Sequence, residues 1–231
     1  MIESLPPLPS WLHPSATGSA VTDAGLTVHG LLLERQQADR AWRHLLALHP
    51  ETGWYPFLSS RPADPRSWRR HGSPDRIWHH LDHAASLDAT ALLDEYVTRA
   101  GDAPIELPWP PVDRGPSSRM PDGPYWLLLV PAAAGHELPV LLDPLVTGFT
   151  DFRDVSIPAE HHAAVLRDWH RRFGAEVYYA AGSTLELQVA RPPSDHATAL
   201  RAAHELQAYC MDVDQECEGT VTGPHWSLWW D

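Results

Sequence analysis

The chain has 231 residues, 43% of them apolar, with 17 basic and 30 acidic side chains and a net charge of −13. That length can bury a sizeable core, and that apolar content argues against wholesale disorder. The acid surplus repels phosphate backbones, so nucleic acid is not an expected partner.

The charge is unevenly placed. Residues 101–231 carry 8 Arg against 19 acids, and from Glu205 onward there are six acids and no basic residue. Every cation is arginine, which with much Ala and Pro is the usage of a GC-rich bacterial genome. No apolar run approaches the roughly eighteen residues of a membrane helix. Met1–Pro7 shows no basic segment followed by an apolar one, so no signal peptide is expected. Two cysteines, Cys210 and Cys217, are too few for a disulfide framework. Together these features predict a cytoplasmic protein with reduced thiols and no membrane contact.

Taken in order, residues 1–20 form a loose leader rich in Pro and Ser. Leu26–Leu33 reads as a strand, and Gln36–His49 as a helix with Ala38, Trp42, Leu45 and Leu46 inward, stopped by Pro50 and Gly53. Trp54–Leu58 reads as a second strand, which its proline should confine to a sheet edge. Asp64-Pro65 and Ser73-Pro74 both place a capping residue before a proline, the pattern that opens helices. Leu92, Leu93, Tyr96 and Val97 give a further helix its apolar face, ended by Gly101.

Residues 101–124 hold seven prolines and three glycines, too many for a regular element. They read as a linker or strap between an N-terminal α/β region (1–100) and a C-terminal domain (125–231), with Trp109 packing the strap down. In the C-terminal part Tyr125–Val130 is a strand and Leu138–Leu142 a candidate second one. Pro158–Phe173 is a helix with the stripe Val165, Leu166, Trp169 and Phe173, closed by Gly174. Glu176–Ala180 and Thr184–Ala190 form a hairpin, and Ser194 caps a helix running to about Cys210. In the closing Trp226–Asp231 stretch, Trp226, Leu228 and Trp230 share one face as an extended strand. The order is β-α-β-β-α-β, so the predicted class is α+β: a ferredoxin-like unit closed by a Trp-rich C-terminal strand, with an N-terminal α/β part.

The set Pro158-x-Glu160, Ala164–His170, Phe173–Glu176, Thr184–Glu186, Arg191–Pro193, Tyr209-Cys210 and Trp229–Asp231 resembles the bacterial "domain of unknown function 4253" family. The resemblance covers residues 125–231. Gly148–Phe152 departs from the Gly-Gly-aromatic-Asn turn associated with such proteins. The family brings no established activity, so the resemblance implies architecture and no chemistry.

Four groups carry candidate chemistry. His79 and His83 are four apart on one helical face, the spacing of two ligands for a divalent metal such as zinc, with Asp82 as a third or supporting group. His170 flanks an apolar stripe, where Glu176 or Asp168 could make it a general base, whereas His162 lies close to that stripe as a core histidine. Asp212, Asp214, Glu216 and Glu218 alternate and would line one edge of an extended segment, a surface for a basic protein partner. Arg61, Arg66, Arg69, Arg70 and Arg76, interleaved with Trp68 and Trp78, could pair with phosphate or a nucleotide. Phosphate-binding, dinucleotide-binding and nucleophile-elbow motifs are absent from the sequence.

The expected function is a non-catalytic, protein-binding module that needs no cofactor and uses an acidic, aromatic-rich surface. Small acidic proteins that neutralise basic toxins have this general appearance. The alternative is a metal-dependent hydrolase or similar enzyme built on the histidines.

Overall fold

The computed structural model describes residues 5, 8–22, 25–63, 74–101, 105, 107, 109–111, 118, 120–146, 156–210 and 221–230. Within them seven strands form one sheet: β1 (Ala16–Val21), β2 (Thr27–Leu33), β3 (Trp54–Ser59), β4 (Tyr125–Pro131), β5 (Ala175–Ala181), β6 (Thr184–Val189) and β7 (His225–Trp229). Their order is β1-β2-β4-β3-β5-β6-β7. Neighbours are antiparallel except β3 and β5, which run parallel and register at Leu58 and Tyr179.

Helices cover both faces. Helix α1 (Arg35–Thr52) packs on one side, where Ala38, Trp42 and Leu45 meet Leu31, Leu58, Leu127 and Leu129 of the sheet. On the other side lie α2 (Pro74–Ser86), α3 (Ala89–Ala100), the short α4 (Leu138–Leu141), α5 (Ala159–Phe173) and α6 (His196–Tyr209). This is the α+β class that the residue pattern predicts. No helix among the described residues is long and apolar enough to cross a membrane.

The C-terminal elements follow the anticipated β-α-β-β-α-β order as β4, α5, β5, β6, α6 and β7. Their strands do not make a sheet of their own, because β3 from the N-terminal half lies between β4 and β5. One core cluster accordingly joins Val28, Tyr55 and Phe57 to Leu185, Trp226 and Leu228.

Several local expectations are corrected. Pro56 sits in the middle of the sheet and not at an edge. Its carbonyl accepts the Trp42 indole N–H at 3.1 Å, and the β3–β5 register begins beyond it at Leu58. The proline's missing donor therefore falls where no ladder bond is required. Pro50 does not stop α1 but stands inside its last turn, and Gly53, at φ 70°, ends it. The apolar run at Leu138–Leu142 is helical: a 3-10 turn at Gly135–Glu137 leads into α4. A run that short lacks a period to distinguish strand from helix. The cap of α6 is Asp195 and not Ser194, since its carboxylate accepts the Thr198 N–H at 2.9 Å.

Helix α5 forms as its spacing dictates. Val165, Leu166, Trp169 and Phe173 recur every three or four residues and are all buried. Gly174 ends it at φ 64°, a left-handed conformation that favours glycine, and its N–H reaches the His170 carbonyl at 2.8 Å. That sharp stop drops the chain straight into β5. The closing strand alternates as predicted: Trp226, Leu228 and Trp230 are fully buried, while Ser227 and Trp229 are half-buried. Trp226 packs edge-on to Trp169 with ring centres 5.6 Å apart, and Trp230 packs against Tyr209 at 5.9 Å.

The Pro-rich segment touches both layers. Leu107 is buried in the helix-side core, and Met120 packs against the cluster beneath α1. Trp109 stands 41% exposed with its ring 5.7 Å from that of His196, so it lies against the start of α6.

Candidate functional site around His170 and Glu176

The stop at Gly174 brings the last turn of α5 beside the first residues of β5. His170 Nδ1 lies 3.0 Å from Glu176 Oε1, and the other carboxylate oxygen accepts the Tyr55 hydroxyl at 2.8 Å. Tyr55 comes from β3, 121 residues away in the chain. Its hydroxyl is fully buried, and burial together with the adjacent carboxylate pushes it well above the ordinary tyrosine range. It therefore stays protonated and acts as a fixed donor to Glu176.

Gly135 makes room for this arrangement. A Cβ at that position would stand 2.3 Å from the Tyr55 hydroxyl oxygen, so any side chain there collides with the ring end. The next residue, His136, has its ring 6.3 Å from that of His170. Burial, with His170 and Arg167 nearby, pushes His136 down to about 4, which leaves it neutral near pH 7. Arg167 is occupied in capping α2, donating to the Ala84 and Leu87 carbonyls at 2.9 and 2.8 Å.

The result is a carboxylate–imidazole pair with a buried phenol behind it. The His170 side chain is 45% exposed, and among the described residues its Nε2 has no partner. Chemically, such a pair fixes the imidazole orientation and leaves one ring nitrogen to exchange a proton. Of the two acids considered for His170, the structure selects Glu176. Asp168 instead receives Arg171 and Arg172, each at 2.6 Å, within a network in which Glu205 also accepts Arg201 Nε at 2.7 Å and the Trp169 indole at 3.2 Å. That network ties α5 to α6, and Arg201 carries it on to Asp94 of α3.

The histidines of α2 separate by face. His79 and Asp82 are exposed. His80 and His83 turn toward Glu160 at the start of α5, His80 in a close hydrogen-bond contact and His83 at 3.9 Å. Hence the pair brought onto a common carboxylate is spaced three apart, His80 with His83, and not His79 with His83. Among the described residues no three His, Cys, Asp or Glu side chains are gathered as a metal site. His162 is buried as expected, sharing a hydrogen bond with the Tyr209 hydroxyl, and burial pushes its imidazole down to about 3. Asp212, Asp214, Glu216 and Glu218 lie outside the described residues, as do Arg66, Arg69, Arg70, Trp68 and Gly148–Phe152.

A further constellation escapes sequence reading. Glu186 on β6 is fully buried, in close contact with His225 Nε2 of β7 and accepting the Ser227 hydroxyl at 3.1 Å and that of Ser118 at 3.4 Å. Gln188 Nε2 lies 3.0 Å from His225 Nδ1. With the amide as donor, the ring proton sits on Nε2 and points at Glu186. Polar residues at every second strand position ordinarily face water. Here Ser118 of the Pro-rich segment reaches across them, which only the tertiary fold reveals. Tyr55, Gly135 and His136 were missed for a similar reason. An isolated Tyr in an apolar strand and a Gly-His pair in a loop carry no pattern.

No curated protein and no solved structure matches the chain. Residues 127–231, from within β4 through α5, the β5–β6 hairpin, α6 and the closing Trp-rich strand, match the family model described as Domain of unknown function (DUF4253).

Proposed function

We propose that the protein is a non-catalytic binding module that docks a basic protein through an acidic, indole-bearing surface. The observation that carries this reading is Trp78, which stands 65% exposed on α2 among the exposed Asp75, Arg76, His79 and Asp82. Ile77 and Ala84 take the inward side of that helix, so core packing makes no use of the indole. Tryptophan is the residue most often found as an anchor at the centre of protein interfaces, where removing it typically costs about 2 kcal/mol or more. A chain with net charge −13 attracts a basic partner at long range and speeds encounter. Asp212, Asp214, Glu216 and Glu218 supply four of the acids behind that charge. The test is affinity capture from source cells with the full chain and a Trp78→Ala variant side by side. A stoichiometric basic protein retained by the wild type, released by salt and lost with the variant is the expected result. Equal recovery on both proteins would sink the reading.

The His170–Glu176–Tyr55 geometry favours a second reading, acid–base catalysis of a hydrolytic step. His170 would move the proton through Nε2 while Glu176 orients the ring. Its test is turnover of simple aryl ester and aryl phosphate substrates by wild type, His170→Ala and Glu176→Gln. Activity that survives both substitutions excludes this role. A metal-dependent version predicts stoichiometric zinc in protein purified without a tag, and substoichiometric metal removes it.

A further inference from the structure

The geometry points to a small-molecule site at the carboxyl ends of β3 and β5, taking an organic monoanion with an apolar body. These are the two parallel neighbours of the sheet. The chain after β3 passes through α2 and α3 and returns as β4 on one side, whereas the chain leaving β5 turns directly into β6 on the other. Connections that diverge from adjacent parallel strands leave a crevice beyond their carboxyl ends, as at the ligand-binding switch points of open α/β sheets.

A shallow cleft of about 60 Å³, open on one side, occupies that position. Its walls are apolar: Phe57 and Leu128 from the sheet, and Leu145 and Val146 from the segment after α4. Ser59 and Arg61 stand on the β3 side, and Gly182 on the β5 side. The Ser59 hydroxyl accepts the Arg61 backbone N–H at 3.1 Å, which fixes the turn carrying the guanidinium. Arg61 is exposed, and among the described residues its guanidinium has no carboxylate partner, although the chain has 30 acids.

An apolar cleft with one polar anchor is the usual pattern of a small-molecule site, and a cleft this small and open takes the end of a short apolar body without enclosing the whole ligand. The anchor is a planar cation that pairs with carboxylate or phosphate through two parallel hydrogen bonds. The net charge of −13 works against polyanions, so one anionic head on an apolar body fits better than a nucleotide triphosphate. This site is separate from α2 and stands or falls independently of protein docking there.

Calorimetric titration of the full chain at low salt tests it, with hexanoate and phenyl phosphate as probes. Hexanol and phenol supply the body without the head, and acetate and inorganic phosphate supply the head without the body. Saturable binding of a headed probe near about 1 mM is expected, the level fragments of this size reach. The six probes also separate a carboxylate head from a phosphate one. Controls lacking head or body should bind at least about tenfold more weakly, Arg61→Gln should lose about tenfold and Arg61→Lys should recover part of it. Both variants alter an exposed side chain and keep the fold. No saturation by any probe up to about ten times that concentration, or equal affinity in Arg61→Gln, overturns the site.

Discussion

Lowering the pH from about 7.5 to about 5 should remove about 4 kcal/mol of folding stability through two imidazoles that the fold keeps neutral. Burial pushes His162 down to about 3 and His136 down to about 4, against an ordinary 6.5. In the unfolded chain both groups take up a proton as the pH falls through 6.5, whereas in the fold neither does so until the pH nears those lower values. Between them the unfolded state binds more protons, so stability falls as the pH falls. At about pH 5 each unfolded imidazole is almost fully protonated, and the difference comes to about 2 kcal/mol per histidine. His29 and His161 are also held low by burial and add in the same direction. Against a typical total of roughly 5–15 kcal/mol, this loss decides whether the protein survives mild acid. Urea unfolding followed by the fluorescence of the 11 tryptophans measures it at both pH values. His162→Gln and His136→Gln should each flatten the pH dependence by about half, because an amide does not titrate in this range. The slope is the readout, whatever either substitution costs at neutral pH. An unchanged slope in the double variant would refute the reasoning.

The closing strand and the glycine beneath Tyr55 give two more expectations. Trp226→Ala removes a fully buried ring packed against Trp169 and Phe173, at 5.6 and 5.2 Å between ring centres, and should cost about 3–5 kcal/mol in chemical denaturation. A loss near zero would mean that the indole is not a core element. Gly135→Ala places a methyl 2.3 Å from the Tyr55 hydroxyl and should cost about 1–3 kcal/mol as the ring shifts off Glu176. A melting point like that of wild type would show that the contact is loose.

Much of the framework was legible locally. The stripe Val165, Leu166, Trp169 and Phe173 with Gly174 behind it specified α5, and the alternation Trp226–Trp230 specified which indoles face inward. Both are one-dimensional periods, and burial follows from period alone when one side of an element is covered. Pro56 shows where such reasoning fails. Its edge preference rests on a missing N–H, and the indole of Trp42 occupies the carbonyl side of that residue. Nothing near residue 56 announces a partner fourteen positions upstream.

By itself, then, the sequence determined most of the elements and their buried faces, the acidic balance and the resemblance of its second half, but it placed β1 inside a loose leader and read α4 as a strand. All of these depend on residue types within a turn or two of each other, or on their sum. The tertiary structure alone decided that β3 enters between β4 and β5, that Tyr55 meets Glu176 across 121 residues, and that Ser118 reaches Glu186. These are long-range pairings selected by the packing of whole faces against one another. A strand's own residues state which face is apolar, but not which neighbour will cover it or which polar group that neighbour brings.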